Sequence, residues 1–199
     1  MKALSDIGIV LASTSVYRRD LLGRLGIPIR PQAPRVDETP IPGEAPAALA
    51  IRLAVAKAYA AADDHSGALI VGSDQVADCG GRVLGKPGSI ENARAQLSAS
   101  SGREVTFHTA VCLLDTRTTA RTAYTALDTT TVMFRPLGDA EIERYLERER
   151  PFDCAGSFKS EGLGIGLFES IESRDPTALI GLPLIAVCRL FRQAGVDPI

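Results

Sequence analysis

The chain has 199 residues, of which 45% are hydrophobic, so it can bury a sizeable core and is not intrinsically disordered as a whole. Its 22 basic and 24 acidic residues give a formal net charge of −2. This balance excludes a bulk basic nucleic-acid module, because affinity for a phosphate backbone grows with each cation supplied. We therefore expect no nucleic-acid partner.

The spacing of the cysteines and the length of the apolar runs exclude further classes of protein. The four cysteines are widely separated and form no CxxC pair, so neither a zinc cluster nor a disulfide framework is expected. No uncharged apolar run approaches the ~20 residues that a membrane span needs, and the first residues do not follow the pattern of a signal peptide. We expect a cytoplasmic protein without a membrane partner.

The first half of the chain predicts strands and helices in alternation. Residues 7–12 are a short apolar run that predicts a buried strand, and residues 13–15 supply capping side chains for a helix that Gly26 ends. Four prolines predict an exposed loop over residues 34–46. The alanine-rich residues 47–62 predict a helix.

The second half continues this alternation. Residues 68–72 predict another buried strand, Gly80-Gly81 predicts a hairpin turn, and residues 103–134 predict a long hairpin with a break near 115–121. The predicted helices cover residues 89–98, 139–150 and 182–193. The pattern predicts an α/β fold with a mixed central sheet and flanking helices, in a single domain over residues 1–199.

The predicted turn from strand to helix at residues 13–15 suits a phosphate group. Such a turn offers unpaired backbone N–H groups and the positive end of the helix dipole, and the hydroxyls of residues 13–15 add further donors. Arg18 and Arg19 stand in the first helical turn, where each cation opposes the dipole by ~0.3–1 kcal/mol. A polyphosphate would offset this cost through bidentate hydrogen bonds to guanidinium. The alternative is that both arginines are solvated or pair with Asp20 and Glu38.

Asp74 and Lys86 are further candidates. Asp74 follows the predicted strand 68–72, where α/β proteins place ligand contacts, and its carboxylate could hold a divalent ion or accept a proton from water. The alternative is an ordinary turn aspartate. Lys86 lies on an extended segment before Pro87 and could act as a point charge for phosphate, or it could be a plain surface lysine.

The glycine-rich residues 155–166 lack the spacing and the flanking elements of a dinucleotide-binding fingerprint. Their glycines instead predict a close approach of backbone to a ligand, with Lys159 and Glu161 beside it. The preceding residues 141–150 mix charges at helical spacing, which predicts a solvated helix face.

Several of these segments occur together and in order, as Leu11-Ala-Ser-x-Ser-x-x-Arg-Arg-x-Leu-Leu22, Val36-Asp-Glu38, Gly72-Ser-Asp-Gln-Val76, Gly85-Lys-Pro87 and Gly181-Leu-Pro183. In this the chain resembles the Maf family of house-cleaning nucleoside triphosphate pyrophosphatases. Residues 155–162 resemble its 7-methyl-GTP branch rather than the dTTP/UTP branch, which has Gln in place of Glu161. Val16-Tyr17 departs from the Pro-Trp common in that branch.

The resemblance implies two lobes around an active-site cleft, a homodimer, and a divalent cation, Mg²⁺ or Mn²⁺. It implies a nucleoside triphosphate substrate that is hydrolysed between its α- and β-phosphates. The implied proton acceptor is Asp74; the residues that tune base choice are Tyr17, Gln75 and Glu161; those that bind phosphate are Ser13, Arg18, Arg19, Lys57 and Lys86; and the metal ligands are Glu38 and Asp74.

Two other functions stay open at this stage. One is a pyrophosphatase for ITP/XTP or for dTTP/UTP. The other is a nucleotide-responsive regulator of cell division, in which hydrolysis is incidental. Glu161 favours 7-methyl-GTP, because a carboxylate accepts hydrogen bonds from the guanine N1–H and N2–H₂ edge and complements a cationic ring.

Overall fold

The structure is a computed structural model that describes residues 2–3 and 7–198, in which helices and strands alternate. In chain order the elements are β1 (Lys2–Ala3), β2 (Gly8–Ala12), α1 (Val16–Gly23), β3 (Ile29–Gln32), α2 (Pro46–Ala60), β4 (Ala68–Cys79), β5 (Arg82–Leu84), α3 (Ile90–Ser100), β6 (Glu104–Asp115), β7 (Thr122–Phe134), α4 (Asp139–Glu149), β8 (Phe168–Glu172), α5 (Leu184–Gln193) and β9 (Val196–Asp197). Two short 3-10 helices, Ala155–Ser157 and Leu163–Leu167, lie between α4 and β8.

The main sheet has seven strands and is mixed, as predicted. Its order is β3-β2-β4-β6-β7-β8, with β5 paired to β4. Strands β3 and β4 run parallel to β2, whereas β5 is antiparallel to β4 and β8 is antiparallel to β7. The short strands β1 and β9 form a separate parallel pair. The α/β prediction is confirmed.

Most predicted elements form close to their expected bounds. Ser15 caps α1 by accepting the Arg18 N–H, and Ser89 caps α3 by accepting the Asn92 N–H. The hairpin turn between β4 and β5 has positive φ at Gly80 and Gly81, which glycine adopts without strain. Strand β4 is longer than predicted and continues to Cys79.

The chain divides into two compact units. Unit 1 comprises Met1–Asp74, Thr109–Asp128 and Asp175–Ile199, and unit 2 comprises Gln75–His108 and Thr129–Arg174. The core of unit 1 is aliphatic, with Leu11, Leu69 and Phe191 among its fully buried members. In unit 2, four phenylalanines pack edge to face with ring centroids 4.8–5.7 Å apart, namely Phe107, Phe134, Phe158 and Phe168. Among the described residues no helix is both long and apolar enough to cross a bilayer.

A glycine brings α2 onto β4 within unit 1. A methyl group added at Gly72 would lie 2.3 Å from the Ala54 carbonyl oxygen and 2.6 Å from the Ala58 backbone nitrogen. No side chain larger than hydrogen fits there, so the helix and the strand approach more closely than ordinary packing allows. This close packing brings Lys57 on α2 near Asp74 on β4.

Candidate functional site

The turn between β2 and α1 is closed by its own hydroxyls. Ser13 is buried and its Oγ accepts the Ser15 N–H at 3.1 Å, while Ser15 Oγ accepts the Arg18 N–H at 3.3 Å. The helix therefore starts at Val16, and Arg18 lies in its first turn, as the sequence predicts.

Arg18 is held by a backbone carbonyl. Its Nε donates to Gly181 O at 2.9 Å, which fixes one edge of the guanidinium. Burial lowers the pKa of Arg18, and the negative charges of Asp74 and Glu38 oppose this shift. The structure thus brings Arg18 into the field of both carboxylates.

Lys57 joins those two carboxylates. Its Nζ donates to Asp74 Oδ1 at 2.6 Å and lies 2.7 Å from Glu38 Oε1. The Lys57 and Asp74 side chains are only 7% and 10% exposed, whereas Glu38 is 58% exposed. Because a buried charge is costly unless it is paired, Lys57 and Asp74 stabilise each other. The prediction of Lys57 as a phosphate ligand omitted this ion pair.

Asp74 lies inside β4, two residues beyond Gly72, the last residue of that strand paired with β2. It is therefore not a turn aspartate, and that alternative is wrong. The adjacent Ser73 is fully buried, and its hydroxyl lies 2.8 Å from Ala110 O and 3.1 Å from Gly181 O. These contacts anchor the strand at the residue directly before Asp74.

The segment that carries Gly181 is fixed by Asp175 and Thr177. Asp175 Oδ2 accepts the Ile185 N–H at 2.7 Å in the first turn of α5, and its Oδ1 accepts the Thr177 hydroxyl at 2.6 Å. Thr177 Oγ1 also accepts the Leu184 N–H at 2.8 Å. This arrangement was not predicted from the sequence, because its members match no short motif.

Two other predicted residues of unit 1 lie nearer the surface. Arg19 is exposed, and its Nε lies 3.5 Å from Asp20 Oδ1, a contact that the alternative interpretation of this arginine expected. Such an exposed pair is worth little and leaves the guanidinium accessible to solvent. Tyr17 is half-buried in the first turn of α1.

Three predicted residues belong to unit 2. Gln75 directly follows Asp74 on β4 and is half-buried. Lys86 is exposed on the extended segment after β5. Glu161 is exposed at a turn, where its Oε2 accepts the Ser160 hydroxyl at 3.3 Å. The roles of these three residues stay predictions.

One expectation about residues 141–166 needs correction. The sequence predicts Glu149 on a solvated helix face, but its side chain is only 15% exposed and faces Lys159. The close approach of a ligand to the glycines of residues 155–166 stays a prediction. A methyl group at Gly162 would lie 2.6 Å from Glu149 Oε2, and one at Gly164 would lie 2.4 Å from Lys159 O. These two glycines make room for the chain itself.

Glu38 and Asp74 are the carboxylates that could contribute to a metal site. Among the described residues no cluster of three or more His, Cys, Asp or Glu side chains could hold an ion by itself. Glu38 and Asp74 nevertheless share Lys57 as a partner and so lie close together. Mg²⁺ is commonly held by one or two carboxylates plus substrate phosphates, and this pair fits that mode of binding.

The fold and this centre define a class of protein: an α/β protein with a buried carboxylate–lysine pair and a nearby arginine in the first turn of a capped helix. A sequence model of the family described as Maf-like protein matches residues 8–194. The chain therefore belongs to the Maf-like family.

Several curated relatives of this chain carry the same name. The chain is 57% identical to "7-methyl-GTP pyrophosphatase" of Thiobacillus denitrificans over 189 residues, which cover 95% of this chain and 93% of the relative. The protein of that name from Xanthomonas oryzae pv. oryzae is 58% identical over 94% of this chain and 96% of its own length. That from Burkholderia pseudomallei is 53% identical over 97% and 90%.

Proposed function

We propose that this protein is a nucleoside triphosphate pyrophosphatase that hydrolyses 7-methyl-GTP to 7-methyl-GMP and pyrophosphate. The observation that carries the proposal is the buried Lys57–Asp74 pair in the field of Arg18, in a chain at least 53% identical to the relatives described above. Their name supplies the substrate, and the centre supplies groups that can perform the reaction.

Asp74 is the proposed proton acceptor. Its carboxylate orients a water molecule toward the α-phosphate and takes its proton as the bond to the pyrophosphate leaving group breaks. Lys57 holds Oδ1 at 2.6 Å, so the second oxygen, Oδ2, is the one proposed to face the water. Fixing the carboxylate before substrate arrives avoids the cost of orienting it during the reaction.

The positive charges bind the phosphates and stabilise the charge that develops on the pyrophosphate. Arg18 presents the terminal nitrogens of a guanidinium whose Nε is already bonded to Gly181. Arg19 and Lys86 are exposed and are proposed to bind phosphate oxygens directly, and Ser13 contributes through the helix start. Lys57 is proposed to act on phosphate from its position between Glu38 and Asp74.

A divalent cation, Mg²⁺ or Mn²⁺, is also proposed. Glu38 and Asp74 offset the charges of Lys57 and Arg18, so a bound triphosphate needs further positive charge. Glu38 and Asp74 would hold the ion together with the phosphates. Such an ion would supply positive charge that neutralises the phosphates.

Glu161 is proposed to select the base. Methylation at N7 leaves guanine cationic over part of the neutral range, so an exposed carboxylate gains both from the ring charge and from the N1–H and N2–H₂ donors. Tyr17 is proposed to stack on the ring, with a cation–π contribution of ~0.5–2 kcal/mol, and Gln75 to adjust the fit. The homodimer and the cytoplasmic location stay predictions.

Pyrophosphate release tests the proposal. Purified protein is assayed with Mg²⁺ or Mn²⁺ against 7-methyl-GTP, GTP, dTTP, UTP, CTP and ITP. We expect fast turnover of 7-methyl-GTP and a loss of about 10²–10⁴-fold in kcat for Asp74→Asn, the range typical of a general base. Asp63→Asn is the matched control, since Asp63 is exposed and pairs only at the surface with Arg121.

The outcomes separate the candidate functions. Turnover led by dTTP, UTP or ITP would reject the assigned base and keep the chemistry. Tight nucleotide binding without turnover would reject the enzyme in favour of a nucleotide-responsive regulator. Full activity in Asp74→Asn would reject Asp74 as the proton acceptor.

A further inference from the structure

Glu161 lies on a short turn rather than on a helix or strand. The Gly162 N–H donates to Lys159 O at 3.2 Å, and the Ile165 N–H donates to Gly162 O at 3.3 Å. Glu161 is exposed at this turn. An exposed glutamate on an unsupported turn would lose much of its gain from a base contact to the ordering of the side chain and backbone.

Glu149, the last residue of α4, holds this turn on both sides of Glu161. Its Oε2 accepts the Leu163 N–H at 2.7 Å, two residues after Glu161. Its Oε1 lies 3.7 Å from Lys159 Nζ, two residues before Glu161. One carboxylate therefore bridges the two ends of the segment that presents Glu161.

The side chain of Glu149 is enclosed rather than loosely placed. It is 15% exposed and its Lys159 partner 19% exposed, which is unusual for two long charged side chains. A methyl group at Gly162 would lie 2.6 Å from Glu149 Oε2, so the glycine leaves the space that this carboxylate occupies. This combination of a charge pair, a backbone acceptor and close packing fixes the carboxylate within a small volume.

The segment before Glu161 is anchored independently. The hydroxyl of Tyr145, one turn earlier on α4, accepts the Lys159 N–H at 3.1 Å. Phe158 is buried among the phenylalanines of unit 2. The remaining freedom of the turn lies at residues 160–163, which is where Glu149 acts.

Charge gives Glu149 a second effect on the same segment. Lys159 is two residues from Glu161, and an uncompensated ammonium there would repel a cationic base and attract the Glu161 carboxylate. Glu149 supplies the opposing charge from α4. The Glu161 carboxylate can then interact with the base of the ligand rather than with Lys159.

From this geometry we infer that Glu149 is a positioning residue for base selection: it holds the 160–163 turn and neutralises Lys159, so that Glu161 is presented to the 7-methylguanine base. The inference rests on the proposed function of Glu161 and goes beyond it, because Glu149 itself touches no substrate.

Substrate discrimination tests this role. In Glu149→Ala we expect kcat/KM for 7-methyl-GTP to fall at least about tenfold through KM, with kcat within about twofold, because base contacts bind ground and transition states alike. Any activity on dTTP, which lacks the guanine edge, should change less than twofold. Glu147→Ala is the matched control, since Glu147 is exposed on the same helix and its removal changes net charge equally.

A second variant and a double-mutant cycle exclude a merely structural effect. Glu149→Gln keeps an oxygen for the Leu163 N–H but removes the charge that faces Lys159, and we expect a smaller loss in the same direction. In a Glu161→Gln background, Glu149→Ala should change kcat/KM less than about twofold, since the group that it positions has already been replaced.

Three results would overturn the inference: equal losses on 7-methyl-GTP and dTTP, an undiminished effect in the Glu161→Gln background, or wild-type kinetics in Glu149→Ala. Calorimetric Kd values for 7-methyl-GTP and GTP, measured with Asp74→Asn and with Asp74→Asn/Glu149→Ala, separate this inference from the proposed function. Absent turnover in the wild type rejects the proposed function, while a selective loss of 7-methyl-GTP affinity still supports Glu149.

Discussion

The charged groups of the two units are held in different ways. In unit 1, Lys57 and Asp74 are buried on a helix and a strand and contact each other directly. In unit 2, Glu161 is exposed on a turn, and a neighbouring carboxylate, Glu149, contacts the backbone and the lysine on either side of it. A group proposed for bond breaking is thus fixed by its own ion pair, whereas a group proposed for recognition is fixed through its surroundings.

Burial explains why this difference matters. Ion pairs strengthen as water is excluded, so a buried pair holds its geometry without help from the chain around it. An exposed side chain gains little from any one partner and must be placed by its backbone. Changes in unit 1 should therefore affect all substrates and folding together, while changes in unit 2 should affect the choice among substrates.

Lys57→Met should give the largest effect, because it removes the cation that contacts buried Asp74 directly. We expect about 3 kcal/mol loss in the free energy of unfolding and at least a hundredfold loss of kcat/KM on every nucleotide. Urea unfolding and pyrophosphate release measure the two losses. Lys86→Met is the control, with unchanged stability because Lys86 is exposed. A loss of kcat/KM on one nucleotide alone would contradict the expectation that changes in unit 1 affect all substrates.

Gly72→Ala should come next, since the added methyl group meets backbone atoms of α2 at 2.3 and 2.6 Å. Overpacking of this kind costs about 1–3 kcal/mol, and it should also lower activity on all nucleotides by shifting Lys57 relative to Asp74. Gly8→Ala on β2 is the matched control, because its methyl group would meet only Ala68 Cβ at 3.8 Å. Equal stability of the two variants in urea would contradict the close approach.

Glu161→Gln should alter selection with little effect on stability, because the side chain is exposed. Glutamine offers both a donor and an acceptor and suits pyrimidine edges better than a carboxylate does. We expect the ratio of kcat/KM for 7-methyl-GTP over dTTP or UTP to fall about tenfold, which corresponds to 1.4 kcal/mol. Unchanged relative values across the nucleotides would remove Glu161 from base selection.

Replacement of Glu44, which lies in the same loop as Glu38, should have the smallest effect on stability. Its ion pair with Arg52, whose Nε lies 2.7 Å from Glu44 Oε1, lowers the pKa of Glu44 from 4.5 to about 2. A carboxyl pKa that is lower in the folded state stabilises the protein above the unfolded value and ceases to do so as pH falls.

The test for Glu44 is a comparison with Glu44→Gln across pH. The small difference in urea midpoint should be present at neutral pH, shrink as pH falls from about 4.5 toward 2, and vanish below that. Arg30→Gln, on exposed β3 surface, serves as a control that removes one surface charge. A difference that grows on acidification would contradict the assigned ion pair.

Much of the fold follows from local patterns in the sequence. The capping serines 15 and 89 and the paired glycines at 80–81 were sufficient to place two helix starts and a hairpin. Strand β3 was not predicted, because Pro31 argues against a strand unless the strand lies at the edge of a sheet, as β3 does. Strand β8 was missed because its largely exposed residues lack an apolar run.

The candidate site was predictable as a set of residues but not as a set of partners. Lys57 and Asp74 are 17 residues apart, and only the packing of α2 on β4 at Gly72 reveals their contact. The contacts of Glu149 could not be predicted, because a helix rich in both acidic and basic residues predicts a solvated face for all of them. Such pairings depend on tertiary contacts that no short motif encodes.

Three lysines of the protein differ in their access to solvent and should therefore differ in chemical reactivity. Lys57 is enclosed by two carboxylates, Lys159 is shielded by one, and Lys86 is open to solvent. An amine-directed acylating reagent should therefore mark these three side chains at graded rates, with Lys86 first and Lys57 last. Because each lies in a different stretch of the chain, a single peptide map can record events at the buried pair, the recognition turn and the exposed segment at once.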